Sequence, residues 1–226
     1  MCGRYTQHSP VRRYARLFSV EEEPKGQLIA RYNVAPSQTT WACAISRRDG
    51  QRHLEILRWG LVPRWSQGPD PKYAMINARA ETVHQKPAYR DSFQHRRCLI
   101  PADGFYEWAQ TDGKQPWYIH RADGEPMAFA GLWDYWRSSD GEGIASCAII
   151  VTDANALMRT IHDRMPVILP PEAFERWLDP EMQDVGELLG LLRPCPSEDL
   201  EAYPVSRVVN DPRHEGAELI EAVGRG

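Results

Sequence analysis

The sequence predicts an α+β protein: a curved, mostly antiparallel, barrel-like sheet built from hairpins, with helices at its periphery. Three observations predict it. The pair Asp-Gly occurs five times, at 49–50, 103–104, 112–113, 123–124 and 140–141, and between short β-prone runs this pair is a strong hairpin signal. Helical periodicity is confined to a few short segments. No Gly/Ser linker or internal repeat divides the 226 residues, so 1–226 reads as one domain.

The elements follow in chain order. Ser9 reads as an N-cap with Pro10 at the first helical position, and Val11, Tyr14, Leu17 and Phe18 supply the 3.6-residue period. Residues 40–46 and 53–59 flank Asp49-Gly50 as a hairpin. Residues 87–94 read as a short helix. Residues 105–109 and 117–120 flank Asp112-Gly113, and 117–120 is also expected to pair with 127–132 across Asp123-Gly124. Residues 132–136 and 144–152 flank Asp140-Gly141. Residues 155–161, 171–178 and 181–192 read as helices.

Composition narrows the function classes. Hydrophobic residues make up 42% of the chain, yet no apolar run approaches the roughly 18 residues of a membrane span. The start, Met1-Cys2-Gly3-Arg4-Tyr5, turns polar at once, so no secretory signal is read. The five cysteines, at 2, 43, 98, 147 and 195, form no C-x-x-C and no Cys/His cluster. That spacing predicts reduced thiols, no metal and a cytoplasmic location. Cys43, Cys98 and Cys147 sit in apolar runs and read as strand core. No G-x-G-x-x-G, Walker A, G-x-S-x-G or H-E-x-x-H occurs, so no nucleotide cofactor, serine-hydrolase or zincin chemistry is expected.

Net charge is −4, which taken alone argues against nucleic acid. The charge is uneven, however. Residues 1–169 carry 22 basic and 18 acidic side chains (+4), and residues 170–226 carry 5 and 13 (−8). Of the 27 basic residues 23 are Arg, the side chain whose planar fork suits phosphate; an Arg-favouring codon bias would give the same count.

Cys2 stands out by its address. Removal of Met1 would leave an α-amine and a thiol on adjacent carbons. Such a 1,2-aminothiol has two chemistries. The amine can act as base for the thiol on an amide, or the pair can condense with an aldehyde, first as an imine and then as a five-membered thiazolidine. An α-amine titrates near 7.7–8.0, so roughly a tenth or more is the neutral nucleophile at pH 7.

Six blocks, in order, then carry a resemblance: Met1-Cys2-Gly3-Arg4-Tyr5, Arg31-Tyr32-Asn33-Val34-Ala35-Pro36, Trp59-Gly60-Leu61-Val62-Pro63, Ile76-Asn77-Ala78-Arg79-Ala80-Glu81-Thr82, Pro101-Ala102-Asp103-Gly104-Phe105-Tyr106-Glu107-Trp108 and Ile161-His162-Asp163-Arg164-Met165-Pro166. The chain resembles the SOS-response-associated peptidase (SRAP) family of abasic-site processing proteins nearly end to end.

The resemblance implies a protein that crosslinks itself to abasic sites in single-stranded DNA through Cys2. His162 would open the closed sugar as acid and base, a role suited to an imidazole near neutrality. Glu107 would shuttle protons, and Asn77 would position the amine and sugar. Arg4, Arg79 and Arg164, each two residues from Cys2, Asn77 and His162, are the expected phosphate contacts. Pro36 and Trp65 are the expected wedges against bases; related sequences often carry two aromatics here, whereas Ser66 follows Trp65. No cofactor is implied, and the default state is a monomer.

The bland readings stay beside these. By alternation Glu107 lies on the face opposite Tyr106 and Trp108, and taken alone it reads as an outward, solvated acid. His162 alone reads as a surface or capping residue, Asn77 and Arg79 as a cross-strand polar pair, the arginines as separate ion pairs, and Trp65 as core. A rival enzyme class is an N-terminal-nucleophile amidotransferase or glutaminase, which also starts Met-Cys-Gly. It typically places Asn-Gly at its oxyanion hole, and here Val34, Ala78, Ala156 and Asp211 follow the four asparagines. A third reading is a non-catalytic single-strand-binding module with an inert Cys2. Peptidase activity, if present, would amount to release of Met1, and an imine would permit secondary strand scission.

Overall fold

The structure is a computed structural model that describes residues 2–22, 24, 26–70, 74–109 and 114–224. In chain order its elements are β1 (Arg4–Gln7), α1 (Val11–Leu17), β2 (Arg31–Val34), β3 (Thr39–Ile45), β4 (Arg52–Trp59), β5 (Asn77–Arg79), α2 (Arg90–His95), β6 (Arg97–Ala102), β7 (Gly104–Trp108), β8 (Pro116–Arg121), β9 (Met127–Arg137), β10 (Gly143–Asp153), β11 (Arg164–Pro166), α3 (Phe174–Leu178), α4 (Val185–Leu191) and β12 (Leu200–Pro204). The α+β class and the barrel-like curvature are as the sequence predicts. Among the described residues no helix is long and apolar enough to cross a membrane.

Five strands close into a barrel. β4 pairs β3, β3 pairs β6, β6 pairs β9 and β9 pairs β10, all antiparallel, and the ring closes where β10 meets β4 in parallel at Ser146 and Cys147. β10 then outruns the barrel. Its far half takes β5 in parallel, with Ile149 opposite Asn77, and β11 antiparallel, with Asp153 opposite Arg164. The remaining strands form a second antiparallel sheet in the order β12-β8-β7-β1-β2.

Two of the Asp-Gly hairpins form as expected. β3 and β4 pair from Ile45–Arg52 down to Thr39–Arg58, and β9 and β10 pair from Arg137–Gly143 onward. Gly50 and Gly141, at φ 71° and 93°, take up the left-handed backbone that these turns require. The turn at Asp112-Gly113 lies outside the described residues, although its flanking strands β7 and β8 do pair.

The pairing expected between 117–120 and 127–132 does not occur. Both edges of β8 are taken, by β7 and β12, and β9 pairs with β6 and β10 instead. Asp123-Gly124 does turn, with Gly124 at φ 71°, but a turn signal fixes local backbone and not the partner of the outgoing strand. Here it carries the chain from the second sheet into the barrel, just as Asp103-Gly104 carries it the other way.

One face of the barrel strands packs on the second sheet around Tyr5, Trp59, Phe105 and Phe129, and Cys2 belongs to this cluster. The other face packs on the helices through Trp41, Phe93, Phe174 and Trp177. Cys43, Cys98 and Cys147 are buried on strands. The C-terminal segment covers Tyr106 and Tyr118 on the outer face of the second sheet.

Residues 171–178 are helical throughout, a 3₁₀ turn over Pro171–Ala173 running into α3, while the other helices are shorter than their sequence windows. Ser9 does not cap α1: its backbone N–H and hydroxyl both donate to Asp103, at 2.9 and 2.5 Å, and Tyr14 donates to the same carboxylate at 2.6 Å. Residues 155–161 yield only a 3₁₀ turn, Met158–Thr160. Asp184 caps α4 by accepting from Glu187 N.

Candidate active site

β1 enters the second sheet between β2 and β7, with Arg4 opposite Tyr106 and Tyr5 opposite Phe105. Continuing that register sets Gly3 opposite Glu107, so the chain start and Glu107 are neighbours. Opposed residues of an antiparallel pair share a face, and Glu107 lies on the face of Tyr5 and Phe105. It is 3% exposed. The alternation read from the sequence is right; the solvated reading is overturned, because that face is the one packed on the barrel. Tyr106 is buried too, under the C-terminal segment.

Asn77 opens β5, where its pairing with Ile149 of β10 holds it against Cys2. Its Nδ2 donates to the Cys2 carbonyl at 2.8 Å, while its Oδ1 is buried with no hydrogen-bond partner among the described residues. Tyr89 fixes the strand by donating to the Asn77 carbonyl at 3.0 Å, and the Trp59 indole N–H donates to the Ile76 carbonyl at 3.1 Å. Neither support was legible in the sequence, since each acts through the backbone of another residue.

His162 follows the 3₁₀ turn and brings Nε2 to 4.0 Å from Glu107 Oε1. The other ring nitrogen has a partner for either protonation state. Without a proton Nδ1 accepts from Arg164 N–H at 3.0 Å, and with one it can donate to Asp163 Oδ1 at 2.8 Å. An open cavity of about 400 Å³ is bounded by Glu107, Trp108, Ala109, Lys114 and His162. A cavity of similar size, about 390 Å³, beside Arg47 and Glu181 holds none of the predicted site residues.

Cys2 is fully buried. Burial, and then the charge of Glu107, push its thiol well above the ordinary range, so at neutral pH it is a thiol and not a thiolate. Chemically, the arrangement offers a neutral nucleophile, a carboxylate to take its proton and an imidazole to give one.

The three arginines only partly converge. Arg79 is exposed at the end of β5, and its side chain makes no hydrogen bond or ion pair among the described residues, while its backbone carbonyl accepts from Thr82 N at 3.1 Å. Arg164 is ion-paired with Glu81 and, at 3.1 Å, with Asp153. Arg4 points to the C-terminal segment, where its guanidinium donates to Asn33 Oδ1 at 2.8 Å and to the carbonyls of Val209 and Asn210. Trp65 is 63% exposed, which removes the core reading. Pro36 is half-buried in a turn tied to the start of the Trp65 loop by Arg58, whose guanidinium donates to Ser37 Oγ and to the Gly60 carbonyl at 2.8 and 2.9 Å.

Comparison with known proteins places the chain among relatives along nearly its whole length. The chain is 43% identical over 225 residues to the abasic site processing protein YoqW of Bacillus subtilis, covering 98% of this chain and all of that one. It is 36% identical to the abasic site processing protein YedK of Escherichia coli, covering 99% and 100%. A solved protein from Bacteroides thetaiotaomicron superposes with a TM-score of 0.86 at 26% identity, over 98% of this chain and 100% of the other. The SOS response associated peptidase (SRAP) family matches residues 1–212, and the chain belongs to that family.

Proposed function

We propose that this protein processes abasic sites in single-stranded DNA by forming a covalent thiazolidine through Cys2. The observation that carries the reading is one connected chain of groups: Asn77 on the Cys2 carbonyl, Glu107 across the sheet from the chain start, and His162 against Glu107.

The steps follow from those groups. Release of Met1 frees the Cys2 amine, the only peptidase step in this reading. His162 gives a proton to the ring oxygen of the closed sugar while the anomeric hydroxyl loses one, and the aldehyde opens. The amine adds to C1′, water leaves, and an imine forms. The thiol then adds across C=N, its proton passing through Glu107 to the ring nitrogen. The balance is amine, thiol and aldehyde giving thiazolidine and one water. Asn77 holds the Cys2 backbone and offers Oδ1 to an N–H of the adduct. If the thiol is slow to close, the imine can lose the 3′ phosphate by β-elimination, a secondary lyase activity.

The non-covalent part is a backbone and lesion grip. Arg79 and Arg164 meet phosphate beside the site, Arg4 meets it further off at the C-terminal segment, and Trp65 with Pro36 fills the space beside the missing base. A site without a base has little stacking to lose on entering the pocket. We propose that the protein acts as a monomer.

The test is denaturing electrophoresis after incubation with a uracil-excised oligonucleotide. The expected result is a heat-stable shifted band from the wild type and none from Cys2→Ala. An equal band from Cys2→Ala, or no band from either, overturns the reading. Glutamine hydrolysis by the same preparation would favour the amidotransferase class instead.

A further inference from the structure

The loop that carries Trp65 is held at its base with unusual completeness. Leu61 N donates to the Met75 carbonyl at 3.0 Å. Val62 N donates to Ser146 Oγ at 2.8 Å. Arg64 donates twice to Asp134, from its backbone N at 2.9 Å and from Nε at 3.0 Å. On the far side of the tryptophan, the Trp136 indole N–H donates to the Ser66 carbonyl at 2.9 Å. Trp65 itself stands out into solvent between these anchors.

The two central anchors are a single cross-strand pair. Asp134 of β9 lies directly opposite Ser146 of β10, so their side chains share a face. They take the backbone N–H groups of residues 62 and 64, two positions apart along the loop. Both are buried, at 3% and 0% exposure. A buried carboxylate needs a counter-charge, and Arg96, itself 3% exposed, supplies one with Nε at 3.1 Å from Asp134 Oδ1.

An exposed aromatic on a loose loop would lose conformational freedom on stacking, and that loss would weaken binding. A loop already fixed avoids most of it. We propose that Asp134 and Ser146 are positioning residues for Trp65: a buried polar clamp that presets the indole beside the lesion before DNA arrives. This rests on the wedge role given to Trp65 above.

The experiment uses an oligonucleotide with a tetrahydrofuran residue, an abasic analogue with no aldehyde, flanked by 2-aminopurine. Unstacking of the flanking base raises its fluorescence, and no crosslink can form. Crosslinking rates on a true abasic oligonucleotide are measured in parallel for wild type, Asp134→Asn, Ser146→Ala, Trp65→Ala and both clamp variants combined with Trp65→Ala. The expectation is that each clamp variant lowers the fluorescence rise and slows crosslinking by about tenfold, Asp134→Asn more than Ser146→Ala, and that neither adds anything to Trp65→Ala. Wild-type fluorescence and rate in both clamp variants would overturn the proposal. So would an equal loss with and without Trp65, which would place the defect elsewhere. If Trp65→Ala alone changes nothing, the wedge reading fails first and the clamp falls with it. Should Asp134→Asn not fold, Ser146→Ala carries the same comparison, because it removes one hydroxyl and leaves the buried ion pair.

Discussion

A thiol kept neutral by burial and by a neighbouring carboxylate cannot attack an imine until its proton has somewhere to go. At Cys2 the group that raises the thiol, Glu107, is also the group placed to accept that proton. In the proposed mechanism His162 serves the earlier step, where the closed sugar must open. His162→Ala is therefore expected to slow crosslinking about 10²-fold. Quenched time courses on denaturing gels measure this, and a wild-type rate in the variant would remove His162 from the mechanism. At this scale the sequence was informative about identity and poor about environment. The alternation at Glu107 was legible, but which face met the core depended on a barrel assembled from residues far away in the chain.

Among the elements, α1 and the β6–β7 corner show why local signals mislead. Ser9-Pro10 has the composition of a helix start, yet the serine is drawn to Asp103, whose carboxylate also takes His8 N at 2.6 Å and the Tyr14 hydroxyl. One acid thus ties the end of β1 and the first turns of α1 to the point where the chain changes sheets. Asp103→Ala leaves several half-buried donors without their acceptor, each costing about 1 kcal/mol or more. A total loss of about 3 kcal/mol is expected, read from the urea midpoint at unchanged m-value. A loss below about 1 kcal/mol would mean that water replaces the carboxylate. The same logic explains the failed pairing of 117–120 with 127–132: both turns at Asp-Gly were legible, and the exchange between sheets was not.

Across the whole molecule, charge and thiols act on different ranges. The net charge of −4 says little about DNA, because the acidic excess lies in residues 170–226, which supply none of the proposed site. The buried cysteines have a global effect. Burial raises the Cys43 thiol from 9.0 to about 12, and Cys2, Cys98 and Cys147 shift the same way for the same reason. Above pH 9 the unfolded chain releases these protons and the folded one keeps them. The native state then binds more protons, so stability is full below pH 9 and falls as pH rises toward 12. Each such thiol lowers stability by up to about 1.4 kcal/mol per pH unit in that window. Urea melts at pH 8 and pH 10.5 check this, and equal midpoints would contradict it.

Strand β10 carries two attachments at a fixed interval. Ser146 seats the loop of the exposed tryptophan, and three residues on, Ile149 pairs with Asn77, which holds Cys2. That interval is about 10 Å of extended chain. The strand therefore works as a ruler. The step between the proposed stacking group and the proposed nucleophile is a residue count on one rigid rod, and a one-residue insertion there would lengthen the step and turn one attachment to the other face.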